Sequence, residues 1–166
     1  GAMIDDSAFG QIIEVQCGLL HSSDLNEKKP INWKRMIDLN GEYGCMGDLG
    51  MHACHMPFRA GWFPKRVRSF LSNIVKERPN SEGDLVPCET WDNALMLCDT
   101  VDPQTGETFP MTIKTYRIAP GNKNSWYMEI TGTQACAKWT TEQANTLSVL
   151  EYTGGQQNWQ RVDMGH

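Results

Sequence analysis

What most limits the fold of this chain is the order of its periodic segments: one strand-like run, one helix-like stretch, then strand-like runs to the end. FGQIIEVQCGLL (9–20) interleaves Ile, Val and Leu with polar residues, the pattern of a strand with two unlike faces. VRSFLSNIVKE (67–77), WDNALMLCDTV (91–101) and FPMTIKTYRIA (109–119) read as further strands, and DPQTGET between the last two has hairpin turn chemistry. SWYMEITG and TQACAKWT form a second hairpin, and TLSVLEYT (146–153) is the last strand expected. HSSDLNEKKPIN (21–32) and ERPNSEGDLVPCE (77–89) are polar loops, with Pro30 barring a long helix from the first. Trp91, Trp126 and Trp139 are assigned to strand packing. Segregation of one helix from many strands predicts an α+β fold: an open, predominantly antiparallel sheet with a helix packed on one face.

The helix-like stretch, GDLGMHACHMPF (47–58), holds an acid and two histidines. Asp48 sits where the helix is expected to begin, and an acid suits that positive end. Pro57 removes a donor and clashes one turn back, so a kink or an early end is expected near His55, with Gly61 as the stop. At roughly 100° per residue, Asp48 and His52 lie about 40° apart on the surface, and His55 about 20° from Asp48. Three readings follow: an acid–base pair suited to proton transfer near neutral pH, a helix-starting acid beside a structural histidine, or a metal site of Asp48, His52 and His55. Spacing leaves all three open. The third lacks a further ligand, so no metal is expected. GEYGCMG and GCMGDLG both fit G-x-x-G-x-x-G, which differs from the G-x-G-x-x-G of dinucleotide binding and reads as a tight turn into a helix.

Charge and cysteine usage exclude other classes. The net charge is −5, and the densest basic patch, Lys65, Arg66 and Arg68, is scattered by strand alternation over two faces. Nucleic-acid binding needs a broader positive footprint. No apolar run approaches the ~18 residues of a membrane span. The six cysteines show no C-x-x-C pair and several fall in apolar strand-like runs, so they read as small buried hydrophobes of a reduced, cytoplasmic protein.

Read in order, several segments resemble the C-terminal domain of the glucose–fructose oxidoreductase / inositol dehydrogenase (Gfo/Idh/MocA) family. FGQIIEVQCG resembles its opening strand, NWKRMIDLNGEYGCMGDLGMH its W-R … G-G-G … D-x-G-x-H passage, and AGWFPKRVRSF the strand entry that follows. RIAPGNKNSWYMEITGTQACAKWTTEQANTLSVL resembles its G-x-x-N … E-I-x-G … W-x-x-E-x-x-N-x-L passage. The chain departs from the pattern at its looser glycine run, and Lys34 stands where arginine is frequent. Glu27-Lys28-Lys29-Pro30 is not the family's Glu-Lys-Pro motif, since it is interrupted and lacks the preceding apolar strand.

The resemblance implies a substrate-binding and oligomerisation domain over residues 4–166, with Gly1-Ala2-Met3 as a remnant of tag cleavage and a Rossmann domain elsewhere in the full-length protein. That protein would use NAD or NADP on a sugar or polyol, with Asp48 as the acid and His52 as the proton-transferring histidine. His55 is then structural. Trp33, Lys34, Arg117 and Asn124 are candidate substrate contacts. Expected partners are the sugar or polyol, the Rossmann domain and a second copy met through the sheet, with neither nucleic acid nor membrane. The chain by itself is expected to bind no cofactor and to catalyse nothing. Two rival functions remain: a non-enzymatic binding domain of this fold, and a metal-dependent hydrolase or isomerase built on Asp48, His52 and His55.

Overall fold

The computed structural model describes residues 2–165. Gly1 and His166, at the outer ends of the expected tag remnant and domain, lie outside the described residues. Ala2 and Met3 form the start of a short helix, α1 (Ala2–Asp5), whose Met3 and Ile4 pack partly against the core.

The first strand, β1 (Ile12–Leu20), leads through the short helix α2 (Ile37–Asn40) to α3 (Cys45–Ala53) and α4 (His55–Arg59). Then come β2 (Pro64–Ser72), a small pair β3 (Glu77–Pro79) and β4 (Leu85–Pro87), and two long strands, β5 (Asn93–Val101) and β6 (Thr108–Tyr116). The chain continues as β7 (Ser125–Gly132), β8 (Ala135–Thr140), β9 (Thr146–Glu151) and β10 (Gln160–Asp163). Eight strands form one sheet in the order β10-β9-β8-β7-β1-β6-β5-β2, while β3 and β4 pair separately. Within the main sheet β1 and β6 run parallel and the other described pairs antiparallel. The predicted open, mostly antiparallel α+β sheet is the one observed.

One face of the sheet is dry. In-register positions Val15–Met111–Cys98 and Cys17–Ile113–Met96 cross β1, β6 and β5, and all six side chains are buried. Helix α3 lies over these strands and presents Cys45, Leu49 and Ala53 to them. The period-3.6 apolar stripe of the helix thus meets the period-2 stripe of the strands. At the far end Trp62, 1% exposed, stands edge-on to Phe109 with centroids 5.4 Å apart. On the opposite face Gly18 leaves room for the Tyr127 ring, since a Cβ there would sit 2.8 Å from Tyr127 Cε1.

Four expectations about the elements need correction. Helix α3 starts at Cys45 rather than Asp48, because Gly44 (φ 52°) turns the chain earlier and Cys45 N donates to Trp91 O at 3.3 Å. The strand expected over 67–77 stops at Ser72, because the amides of Ile74 and Val75 donate instead to the Asp92 carboxylate at 2.5 and 2.9 Å. The polar loop 77–89 contains the β3–β4 pair, closed by Asn80 Oδ1 accepting from Glu82 N and Asp84 N. Strand β10 follows the last strand expected, and all its residues are exposed. The break near His55 occurs as predicted, with Cys54 closing α3 and Pro57 inside the first turn of α4.

Trp126 and Trp139 meet edge-on across β7 and β8, centroids 5.5 Å apart. Trp91 instead precedes β5 and is exposed. All six cysteines are free and five are buried. Burial pushes the Cys17 thiol up to about 12, and those of Cys54 and Cys98 to about 11. Among the described residues no helix is long and apolar enough to cross a membrane.

Candidate active site

Because β1 and β6 run parallel, their C-terminal ends reach the same rim of the sheet and deliver His21 and Arg117 side by side. His21 N donates to Tyr116 O at 2.7 Å, and Ala119 N donates back to His21 O at 2.8 Å. Antiparallel β5 begins at the same rim, and its first residue clamps the exit of β6. Asn93 Oδ1 accepts from the amides of Arg117 and Ile118, both at 3.1 Å, while Nδ2 donates to Ile118 O.

Beneath this rim is a buried ionic layer. Arg35, fully buried, reaches Asp24 at 2.7 Å and Asp92 at 2.5 Å. Lys29 Nζ closes on the other Asp24 oxygen at 3.0 Å. Arg78 donates to the carbonyls of Asp24 and Asn26 at 2.6 and 2.7 Å, tying the β3–β4 pair to loop 21–32. Burial by itself would raise the Asp24 carboxyl, but the Lys29 hydrogen bond and the Arg35 charge outweigh it and hold the group below its usual value.

Above that layer stands Asp48. Its Oδ2 accepts from Lys34 Nζ at 3.1 Å and forms an ion pair with Arg117. Lys34 is positioned by a 3-10 turn capped by Asn32 Oδ1, by its own carbonyl accepting from Thr90 Oγ1, and by its ammonium lying 5.4 Å from the Trp33 ring. Burial, then the Arg117 charge, lowers the Lys34 ammonium, and burial lowers the Arg117 guanidinium. Burial lowers His21 as well, followed by the charges of Arg117 and Lys34, with Asp24 opposing.

The sequence-derived residues divide accordingly. Asp48, Lys34 and Arg117 converge, with Trp33 half exposed beside Lys34. His52 is exposed one turn along α3, and no hydrogen bond or ion pair joins it to Asp48 among the described residues. Asn124 adopts a left-handed backbone (φ 64°) at the turn into β7, and its carbonyl accepts from Thr141 Oγ1 at 3.2 Å. His55 belongs to α4, and Asp48, His52 and His55 form no group able to hold a metal among the described residues. Sequence reasoning missed His21, Asp24, Arg35, Arg78, Asp92 and Asn93. Only Arg35, adjoining Lys34 in a quoted motif, carried a signal that could have found it.

The glycine run does not cradle a dinucleotide. The amides of Gly44, Cys45, Met46 and Gly47 donate to Gly41 O, Trp91 O and Tyr43 O, so none is left for a pyrophosphate.

No protein-family model matches the sequence, and no curated protein does either. Solved structures do share the fold. An oxidoreductase domain protein from Kribbella flavida superposes with a TM-score of 0.85 at 25% identity, over 98% of this chain and 42% of that one. A levoglucosan dehydrogenase, in complex with NADH and L-sorbose, gives 0.83 at 22% identity, over 99% and 42%. An inositol dehydrogenase homologue complexed with NAD+, from Azotobacter vinelandii, gives 0.76 at 22% identity, over 99% and 40%. The shared feature is an α+β fold found in these oxidoreductases. These neighbours are of the Gfo/Idh/MocA type, and the chain has the fold of that type's C-terminal domain. It spans well under half the length of each neighbour.

Proposed function

We propose that this chain is the substrate-binding part of an NAD(P)-dependent oxidoreductase acting on a sugar or polyol. The observation that carries the reading is the Lys34–Asp48–Arg117 cluster at the sheet rim, one helical turn from an exposed imidazole. Neighbours of this fold have been seen with L-sorbose and with myo-inositol. A nicotinamide dinucleotide would supply the hydride acceptor, held by residues outside this chain.

Within the chain, Lys34 and Arg117 donate to substrate oxygens, and Asp48 fixes both cations while accepting from a hydroxyl. His52 takes the proton of the carbinol hydroxyl, or returns it in reduction, a task suited to an imidazole near neutral pH. Asp48 acts on the cations rather than by orienting the His52 ring. The open sheet face, which no helix covers among the described residues, serves to pair two copies.

In the full-length gene product, His52→Ala is expected to lower kcat for NAD reduction with myo-inositol or levoglucosan by ~100-fold or more. The purified chain by itself should turn over neither. Full turnover by His52→Ala would remove His52 from the reaction, and NADH production by the isolated chain would overturn the division of labour.

A further inference from the structure

Three arginines are buried at this rim, and their partners are unequal. The terminal nitrogens of Arg35 reach two carboxylates, and those of Arg78 reach backbone carbonyls. Arg117 is just as deeply placed, at 3% exposure, but its side chain meets one acceptor, Asp48 Oδ2. That contact is an ion pair without hydrogen-bond geometry, as is that of Arg35 with Asp92, and the Nε atoms of all three arginines are unbonded, so the number of acceptors each reaches is what separates them. The same oxygen is already shared with Lys34.

The charges are unequal too. In the deeper layer Arg35 and Lys29 pair with Asp24 and Asp92, while Arg78 is met by backbone carbonyls. In the upper layer two cations, Lys34 and Arg117, face the single carboxylate of Asp48. No other acid pairs with either cation among the described residues. The upper layer therefore carries one positive charge in excess, in a chain whose net charge is −5. Burial first, and then the Arg117 charge, lowers the basicity of Lys34 and His21, with Asp24 opposing in both. Solvent reaches Lys34 and Asp48, whose side chains are 32% and 22% exposed, and the Arg117 side chain, 4% exposed, lies directly behind them.

A guanidinium presents a planar fork of donors that matches two oxygens on one centre, and such charge-assisted pairs are stronger than bonds to a neutral hydroxyl. A neutral polyol would leave the excess charge uncompensated in a half-buried site.

We infer that the substrate carries an acidic group, a carboxylate or a phosphate, bound by Lys34 and Arg117 at the sheet rim. This rests on the sugar-site reading above and narrows it: the ligand is a sugar acid or a sugar phosphate. Asp48 excludes a second anionic group and accepts from a neighbouring hydroxyl instead.

Titration calorimetry of the chain at low salt tests this with D-glucuronate and D-glucose 6-phosphate as acidic probes, against D-glucose and myo-inositol as neutral ones. At least one acidic probe should bind tenfold or more tighter than D-glucose, and which one does so identifies the source of the charge. Lys34→Gln should reduce that preference below threefold, with melting temperature confirming the fold. Arg117→Lys, which keeps the charge but loses the fork, should weaken the acidic probe by a larger factor than it weakens the neutral ones. Neutral probes binding as tightly as both acids would overturn the acidic substrate and leave the sugar site standing. No heat from any of the four would overturn both readings, and an acid preference untouched by both variants would move the site elsewhere.

Discussion

At the scale of single residues, the buried ionic layer is the most demanding feature of the molecule. Arg35 and Asp92 are both fully enclosed, and neither charge has water to fall back on. A pair of this kind adds little net stability, but breaking it leaves an uncompensated charge. Arg35→Met is expected to cost ~3–5 kcal/mol in urea denaturation, and Asp92→Asn should cost still more, since it also weakens the acceptor for Ile74 N and Val75 N. The rim also sets a pH dependence. His21 has a folded pKa below its ordinary 6.5, so the unfolded chain takes up its proton first as pH falls. Its contribution to stability is complete above 6.5 and is lost below it as pH falls through the folded value. Asp24 is depressed below 3.8 and adds a second loss at lower pH. Denaturant midpoints measured from pH 8 to pH 4 should therefore fall from about 6.5 downward, and His21→Gln should flatten the upper part of the decline. An unchanged slope in that variant would clear His21 of the effect. Apart from Arg35 this layer was not legible beforehand: Asp24 and Arg78 fall in stretches read as polar loops, where a charged residue is ordinarily solvated, and Asp92 falls at the start of an expected strand, where nothing marked it as buried.

At the scale of elements, the strands were legible and their ends were not. Alternation of apolar and polar residues found β1, β5, β6 and β7, because each of those strands buries one face, the first three under α3, and so obeys period two. It ran past the end of β2, where side-chain chemistry from Asp92 captures amides that a ladder would have used. It missed β10, whose four exposed residues have no face to bury and hence no pattern. The start of α3 was misplaced for a related reason. Asp48 has the residue type of a helix start, yet the chain turns at Gly44, where φ is 52° and a Cβ would lie 2.8 Å from Trp91 N. Gly44→Ala must strain the backbone and push β5's approach away from α3. A loss of ~1–3 kcal/mol is expected, and a melting temperature within 1 °C of the parent would show that the turn tolerates a side chain. Because α3 carries Asp48, the same substitution should also weaken binding of the acidic probes.

At the scale of the whole molecule, the sheet is finished on one face and unfinished on the other. Helix α3 covers β1, β5 and β6 on the dry side, whereas the far side exposes Leu97, 52% accessible, and Phe70, 71% accessible, on neighbouring strands. Leu97 lies opposite Arg68 and Thr112 in register, so apolar and charged groups are interspersed rather than segregated. Such a surface suits a self-complementary contact, in which a residue of one copy meets a different residue of the other about a twofold axis. The proposed pairing through this face predicts a dimer in sedimentation equilibrium at micromolar concentration. Leu97→Glu, placed on the open face and away from the core, should raise the dissociation constant by at least tenfold, since an unpaired charge would be buried at the contact. It should leave the melting temperature of the monomer and the binding of acidic probes at the rim unchanged, because neither Lys34 nor Arg117 touches Leu97. A parent chain that sediments as a monomer, or a Leu97→Glu variant that dimerises as before, would show that this face is closed by something other than a second copy.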